Sequence, residues 1–341
     1  MVKHDEVWTF VGVDAHSGNC SLKGLSRKGT KVFEGEVPTQ AESLRQAVEG
    51  LRAPVWVLLE AGSMAPLVKW SLEPAVDRVI VCETRQNRWI ANSEDKSDAR
   101  DADRLARLLR MGEYKEVYVA RRDGQELREL VGLYGKVVGD AVRAKNRLKA
   151  KFRQHGVSVE GAAVYTGDGR GEYLSRLRRP NVQFMLEVLY SRLDAAGTSV
   201  DLMASRLRGM LCRRREYRAV KGIPGVGDVV ASIMVAVIAD PQRFPDKRKL
   251  WKYAGLSVRS QSSGGADSAR QGGSNEGNRL LKYAVMVAAR NAVKGSNRFS
   301  RHYADMTAAG VDPRMALKTI ARGILAAAWA LWKDGTKYRE G

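Results

Sequence analysis

"VWTFVGVDAHSGNCSLKGLSRKGTKVFEGEV", from Val7 to Val37, decides the fold of the first part of the chain. It holds three runs rich in β-formers, "VWTFVGVDA", "NCSLKGLS" and "TKVFEGEV", separated by Gly, Ser, Asn and Lys turn signals, and the pattern predicts a three-stranded meander. Beyond it, Ala41 to Arg52 has helical spacing, "VWVLLE" from Val55 to Glu60 reads as a short buried strand, Ala65 to Leu72 as a helix, and "VDRVIVCE" as a further strand. Strands that alternate with helices imply a mixed α/β sheet. "SDARDADRLARLLRMG" then predicts a helix, with Ser97 as N-cap, Leu105, Leu108 and Leu109 on one side, and Gly112 as its stop.

Past Tyr118 the chain turns long, charged and periodic. Asp123 to Gly156 predicts one extended helix, and Arg179 to Tyr217 a second, with a Gly-rich turn between them from Gly161 to Gly171. Helices of this length with apolar seams pair either as an antiparallel hairpin within a chain or as a coiled coil between subunits. The last third, from "VKGIPGVGDVVASIMVAVIAD" to "DPRMALKTIARGILAAAWALW", is mostly α. Domain boundaries are expected at 1–117, 118–217 and 218–341.

The 341 residues carry 58 Lys and Arg against 38 Asp and Glu, a formal net charge of +20. A solubilising surface on a small domain carries roughly 2 to 8, so the excess points to an extended polyanion, nucleic acid first. Cys20, Cys82 and Cys212 lack the CxxC spacing of a zinc or redox site, which fits a reducing cytoplasm. The N-terminus has no apolar signal core, and "GILAAAWALW" from Gly323 to Trp332 is too short to span a bilayer; no membrane partner is expected.

Asp14 ends the first strand, Glu60 ends another, and Asp98 and Asp101 lie i,i+3 on one helical face. Brought together, four carboxylates repel unless a divalent cation neutralises them. Oxygen-only ligands favour magnesium or manganese, and such an ion serves phosphodiester cleavage or transfer. Each acid alone also reads as a turn former or helix cap, and Asp95 shares the i,i+3 spacing with Asp98, so spacing leaves the register open. His4, His16, His155 and His302 show no ligand spacing. "GIPGVGDVVA", Gly222 to Ala231, has the pattern of a helix-hairpin-helix turn in which backbone N–H groups near Gly225 and Gly227 hold a DNA phosphate; it reads equally as a tight turn between packed helices.

The conjunction of these motifs resembles the transposases of insertion-sequence family one-ten, the DEDD transposases that include bridge-RNA-guided recombinases and Piv-type invertases. "FVGVDAH" carries that family's first aspartate, "LLEAGS" its glutamate, and "DKSDARDADRLARLLR" its third block, which assigns Asp98 and Asp101 rather than Asp95. "GIPGVGDVVA", "RFPDKRKLWKYAGL", "SSGG" and "GSNEGNRLLKYAV" match its C-terminal blocks in order. The resemblance covers almost the whole chain and matches the helical middle by character alone.

It implies an RNase H-like (RuvC-like) α/β N-terminal domain, a long helical coiled-coil middle, and a mainly α C-terminal transposase domain with a nucleophilic serine at Ser263. Ser262 lies one residue from that assignment and Ser260 is a weaker rival. Val258 stands where the family usually has proline, and Asn275 where lysine is common. The resemblance further implies a Mg2+ (or Mn2+) cofactor, double-stranded donor and target DNA, a structured non-coding guide RNA, a homodimer assembling to a tetramer, and an active site shared between protomers. Gly225, Gly227, Arg259, Arg270 and Asn278 are candidate nucleic-acid contacts. Three other functions compete: a metal-dependent nuclease or junction resolvase without a covalent step, a Piv-like invertase without guide RNA, and a non-enzymatic DNA- or RNA-binding protein whose acids are caps.

Overall fold

The computed structural model describes residues 2–83, 98–257 and 277–340. They divide into two compact units, Met1–Arg122 and Asp123–Gly341.

In the first unit the meander forms as its alternation requires. Strands β1 (Thr9–Ala15), β2 (Asn19–Ser26) and β3 (Lys31–Pro38) pair antiparallel, and β4 (Val55–Glu60) and β5 (Arg78–Cys82) add in parallel beside β1, giving the order β3-β2-β1-β4-β5. Parallel neighbours need crossover helices, here α1 (Ala41–Val48) and α2 (Ala65–Leu72). Residues of odd number on β1 and β4, including Val11, Val13, Val57 and Leu59, bury with Leu44 and Val48 of α1 and Val68 and Leu72 of α2. Residues of even number, Phe10, Trp56 and Leu58, bury with Leu105, Leu108 and Leu109 of α3 (Asp98–Met111) on the opposite face. The period-2 pleat thus separates two apolar layers with one helix layer each.

Gly12 sets how closely α3 approaches. A Cβ at this position would overlap the Ala102 carbonyl oxygen and the Ala106 nitrogen and lie 2.9 Å from Leu105 Cβ, so the strand backbone meets the helix backbone directly. Gly112 closes the helix with φ +74°, as a left-handed C-terminal glycine does.

In the second unit α4 (Arg122–Gln154) and α6 (Pro180–Leu211) are the two long helices, about 50 Å each at 1.5 Å per residue. Leu148 and Phe152 near the end of α4 bury with Val182, Leu186 and Tyr190 near the start of α6. Leu127 and Val131 near the start of α4 bury with Leu207 and Leu211 near the end of α6. The two helices therefore run in opposite directions, sharing a core cluster at each end. Between the long helices the chain is more ordered than a Gly-rich turn: α5 (Gly167–Ser175) forms there, because Thr166 accepts from the Gly169 N–H at 3.2 Å and Tyr173 buries against Phe152. The second long helix also stops short of Tyr217, breaking after Leu211 before α7 (Arg215–Lys221).

α8 (Asp228–Ile238), α9 (Lys247–Tyr253), α10 (Arg279–Ala292), α11 (Arg298–Ala308) and α12 (Pro313–Asp334) complete the unit. Every α8 residue from Val230 to Ile238 is buried, making it the central helix. α12 is long and apolar enough to cross a membrane by length and composition; its Ile320, Ala321, Ile324, Leu325 and Ala328 are buried in the core around α8 and α10.

Candidate active site

β1 and β4 run parallel in a register that ends at Val13 opposite Leu59. Asp14 and Glu60 follow one residue further at the ends of these neighbouring strands, both at even-numbered positions, on the face that α3 covers; Asp14 is half-buried and Glu60 is exposed. α3 runs antiparallel to β1: Leu109, near its end, offers its carbonyl to His4 Nε2 at 2.8 Å, while Ala102 sits on Gly12. The first turn of α3, from Asp98 through Asp101, consequently lies towards the carboxyl ends of β1 and β4, where open α/β sheets bind their ligands. Asp101 is half-buried. Asp98 belongs to α3 by its backbone, and its side chain lies outside the described residues, as do Asp95 and Ser97.

His16 Nε2 stands 3.1 Å from Asp14 Oδ2, with side-chain exposures of 56% and 17%. This partner was missed by spacing rules for metal ligands; the signal for it is the period of two that puts positions 14 and 16 on one side of a strand end. Glu60 is opposite Cys82 in the β4–β5 register. Burial first, then the Glu60 carboxylate, pushes the Cys82 thiol up to about 11, against the pull of Arg104. Beside Asp101, Asp103 meets Arg107 at 2.6 Å and Lys23 at 3.5 Å. Burial raises the Asp103 carboxyl, but these two cations outweigh it and hold the group below its usual range.

Asp14, Glu60 and Asp101 offer only oxygen donors, the donor set of a hard divalent cation. Among the described residues no three His, Cys, Asp or Glu side chains stand close enough together to hold a metal ion.

In the second unit, the Gly222 to Gly227 turn joins α7 to α8. Gly225 has φ +81°, and a Cβ there would lie 2.6 Å from the Ala292 nitrogen and overlap the Ala288 carbonyl oxygen; the glycine is needed for packing on α10. Gly227 is exposed with open space around its Cα, and α8 has no side-chain cap. Asp228, its first residue, accepts from Tyr217 Oη at 2.6 Å and pairs with Lys221. The Lys221 and Tyr217 hydrogen bonds lower its carboxyl below the usual range.

Ser260, Ser262, Ser263, Val258, Arg259, Arg270 and Asn275 lie outside the described residues. The two ends of their segment are described and meet. A Cβ on Gly277, at φ +117°, would lie 2.5 Å from the Gly255 nitrogen, and the Asn278 N–H donates to the Tyr253 carbonyl at 2.7 Å. The Asn278 side chain caps α10, its Oδ1 accepting from the Leu281 N–H at 2.9 Å.

A mixed sheet with acids at the carboxyl ends of its parallel strands, in a chain of charge +20, fits an enzyme that works on nucleic acid. Comparison with known proteins narrows this. The DEDD transposase family of IS110 matches residues 11–156, and the family described as transposase IS116/IS110/IS902 matches residues 217–304. The 43.6 kDa protein of insertion element IS110 from Streptomyces coelicolor is 25% identical over 401 residues, spanning 99% of this chain and 97% of its own length. The 44.8 kDa protein of insertion element IS116 from Streptomyces clavuligerus is 23% identical over 394 residues, spanning 97% and 96%. The transposase for insertion sequence element IS1111A from Coxiella burnetii is 22% identical over 199 residues, spanning 58% and 54%. The chain belongs to the IS110/IS116/IS902 family of transposases, enzymes that cut and rejoin DNA.

Proposed function

We propose that this transposase moves its insertion sequence by a serine-linked strand exchange supported by the acidic edge of the N-terminal sheet. What supports the acidic half is the parallel pairing of β1 with β4 up to Val13 and Leu59, after which Asp14 and Glu60 follow at the strand ends towards which the first turn of α3 lies. On this reading the first unit is a RuvC-like domain in which Asp14, Glu60, Asp98 and Asp101 hold a divalent cation, magnesium or manganese. Such an ion, when bound, polarises the attacking and leaving oxygens of a phosphodiester.

Ser263 supplies the nucleophile. Its Oγ bonds to phosphorus as the bond from phosphorus to the leaving sugar oxygen breaks, and the serine proton ends on the departing hydroxyl. The hydroxyl of a partner strand then reverses the step, so the number of phosphodiester bonds is conserved and no nucleotide is hydrolysed. A serine needs activation for this, and sharing the site between protomers of a dimer or tetramer would bring acids and serine together. A structured guide RNA pairing with donor and target DNA would leave the protein to hold backbone and shape, in keeping with its diffuse positive charge.

The test is a denaturing gel of labelled donor and target DNA, incubated with magnesium, the RNA encoded beside the gene, and wild-type, Ser263→Ala or Glu60→Ala protein. A protein-linked DNA band that disappears in Ser263→Ala, together with loss of recombination in Glu60→Ala, is the expected outcome. Cleavage that persists in Ser263→Ala without a covalent band makes the protein a carboxylate-dependent nuclease; an active Glu60→Ala protein removes the metal from the reading.

A further inference from the structure

α12 carries two cations, Lys318 and Arg322, that are half-buried and, among the described residues, meet no acid. Lys318 and Arg322 stand one turn apart, close enough along a helix to repel. The hydrogen bonds they make are weak: Lys318 Nζ reaches only Met315 Sδ at 3.8 Å, while Arg322 Nε reaches the Lys318 carbonyl and Nη2 the Thr319 hydroxyl, each at 3.4 Å. Two arginines of the same intermediate exposure pair with carboxylates, Arg78 with Glu116 at 2.8 Å and Arg170 with Asp194, Nη1 to Oδ2 at 2.7 Å. Burial pulls the Arg322 guanidinium below its ordinary value.

An uncompensated charge out of water destabilises a fold, and an apolar side chain would serve the packing better. The pair is therefore explained by an anion that arrives from outside. A phosphodiester suits it, with charged oxygens for a planar guanidinium fork and for the point charge of an ammonium. The surroundings fit a nucleic-acid strand. Trp251 of α9 donates its Nε1–H to the Arg322 carbonyl at 3.0 Å, and Lys247 Nζ lies 5.8 Å from the Trp251 ring centre. α9 ends at Tyr253, whose carbonyl receives the Asn278 N–H where the serine segment leaves and returns.

We propose that Lys318 and Arg322 form a clamp for a phosphate of the DNA backbone, anchoring the duplex beside the stem of the serine segment. The positioning role rests on the serine reading given above; the phosphate contact does not.

The experiment is a fluorescence-anisotropy titration of a labelled DNA duplex with the full-length protein at stepped salt concentrations. It compares wild type, Arg322→Met, Lys318→Gln, and Lys294→Gln, which removes an exposed cation at the end of α10. Each clamp variant is expected to lower the slope of log affinity against log salt by about 1 and to weaken binding roughly fivefold near 0.15 M salt. Lys294→Gln should change neither by a comparable amount. The melting temperature of Arg322→Met should hold or rise, because a strained charge is gone; a merely structural arginine would lower it. If Arg322→Met unfolds, Lys318→Gln alone decides. An unchanged slope in the clamp variants, an equal loss in Lys294→Gln, or a loss confined to an RNA duplex overturns the clamp. Intact, clamp-dependent DNA binding without a protein-linked DNA band would sink the serine reading and leave the clamp standing.

Discussion

Each unit presses a glycine onto a helix at a pair of alanines four residues apart, and the two contacts differ in what they ask of the backbone. In the first unit Gly12 of β1 backs onto Ala102 and Ala106 of α3; in the second Gly225 of the α7–α8 turn backs onto Ala288 and Ala292 of α10. Gly12 lies in a strand and is required for space alone. Gly225 sits at φ +81° and is required for space and for a left-handed backbone. The first contact fixes a helix that carries carboxylates over a sheet edge; the second fixes a turn whose outer glycine, Gly227, faces open space.

Substituting both glycines by alanine separates the two demands. Gly225→Ala should be the more destabilising, by about 4 kcal/mol or more, because left-handed strain of about 1–2 kcal/mol adds to overpacking of about 1–3 kcal/mol. Gly12→Ala should cost about 3 kcal/mol and, by displacing α3, should also abolish strand transfer. Urea unfolding of both variants measures the difference. Since the overlaps are with backbone atoms, trimming Ala106 or Ala292 to glycine should rescue neither; a rescue would mean that side chains set the spacing.

The two units should also part company with pH. The Cys82 thiol, fully buried under β5, has its value raised to about 11 from an ordinary 9. The unfolded chain therefore loses this proton first, so the neutral thiol's contribution is complete below about pH 9 and is lost as pH rises towards 11, amounting to roughly 2–3 kcal/mol. Stability of wild type should fall through that window more steeply than that of Cys82→Ala, as read by denaturation at stepped pH. A parallel decline in both would mean that other groups dominate alkaline unfolding.

The smallest effect belongs to the second unit's turn. Tyr217→Phe removes the 2.6 Å hydrogen bond to Asp228 and leaves Lys221 in place, so the cost should be about 1–2 kcal/mol. A loss as large as that of Gly225→Ala would show that the hydroxyl, and not the glycine, holds the turn.

The sheet was legible because its strands are short runs of β-formers between turn signals, and Val55 to Glu60 and Ala65 to Leu72 fall where the pattern puts them. What the sequence hides are pairings. The neighbourhood of Asp14 and Glu60 depends on β1 and β4 running side by side in parallel, which no single strand reveals. The helix from Gly167 to Ser175 defeats its own glycines through the Thr166 cap and the burial of Tyr173, both tertiary facts. The partial burial of Lys318 and Arg322, with no acid beside them among the described residues, is likewise visible only in three dimensions. Ser263 stands on motif order alone.

The closed stem at Gly255 and Gly277 has a consequence for how the family can change. The chain departs from and returns to one point, held by Tyr253 and Asn278, so the separation of the two ends is fixed by the helices that carry them. Closing a loop of twice the length costs only about 0.6 kcal/mol more. A longer stretch between Gly255 and Gly277 would therefore add little closure cost, while the stem that fixes its two ends stays the same.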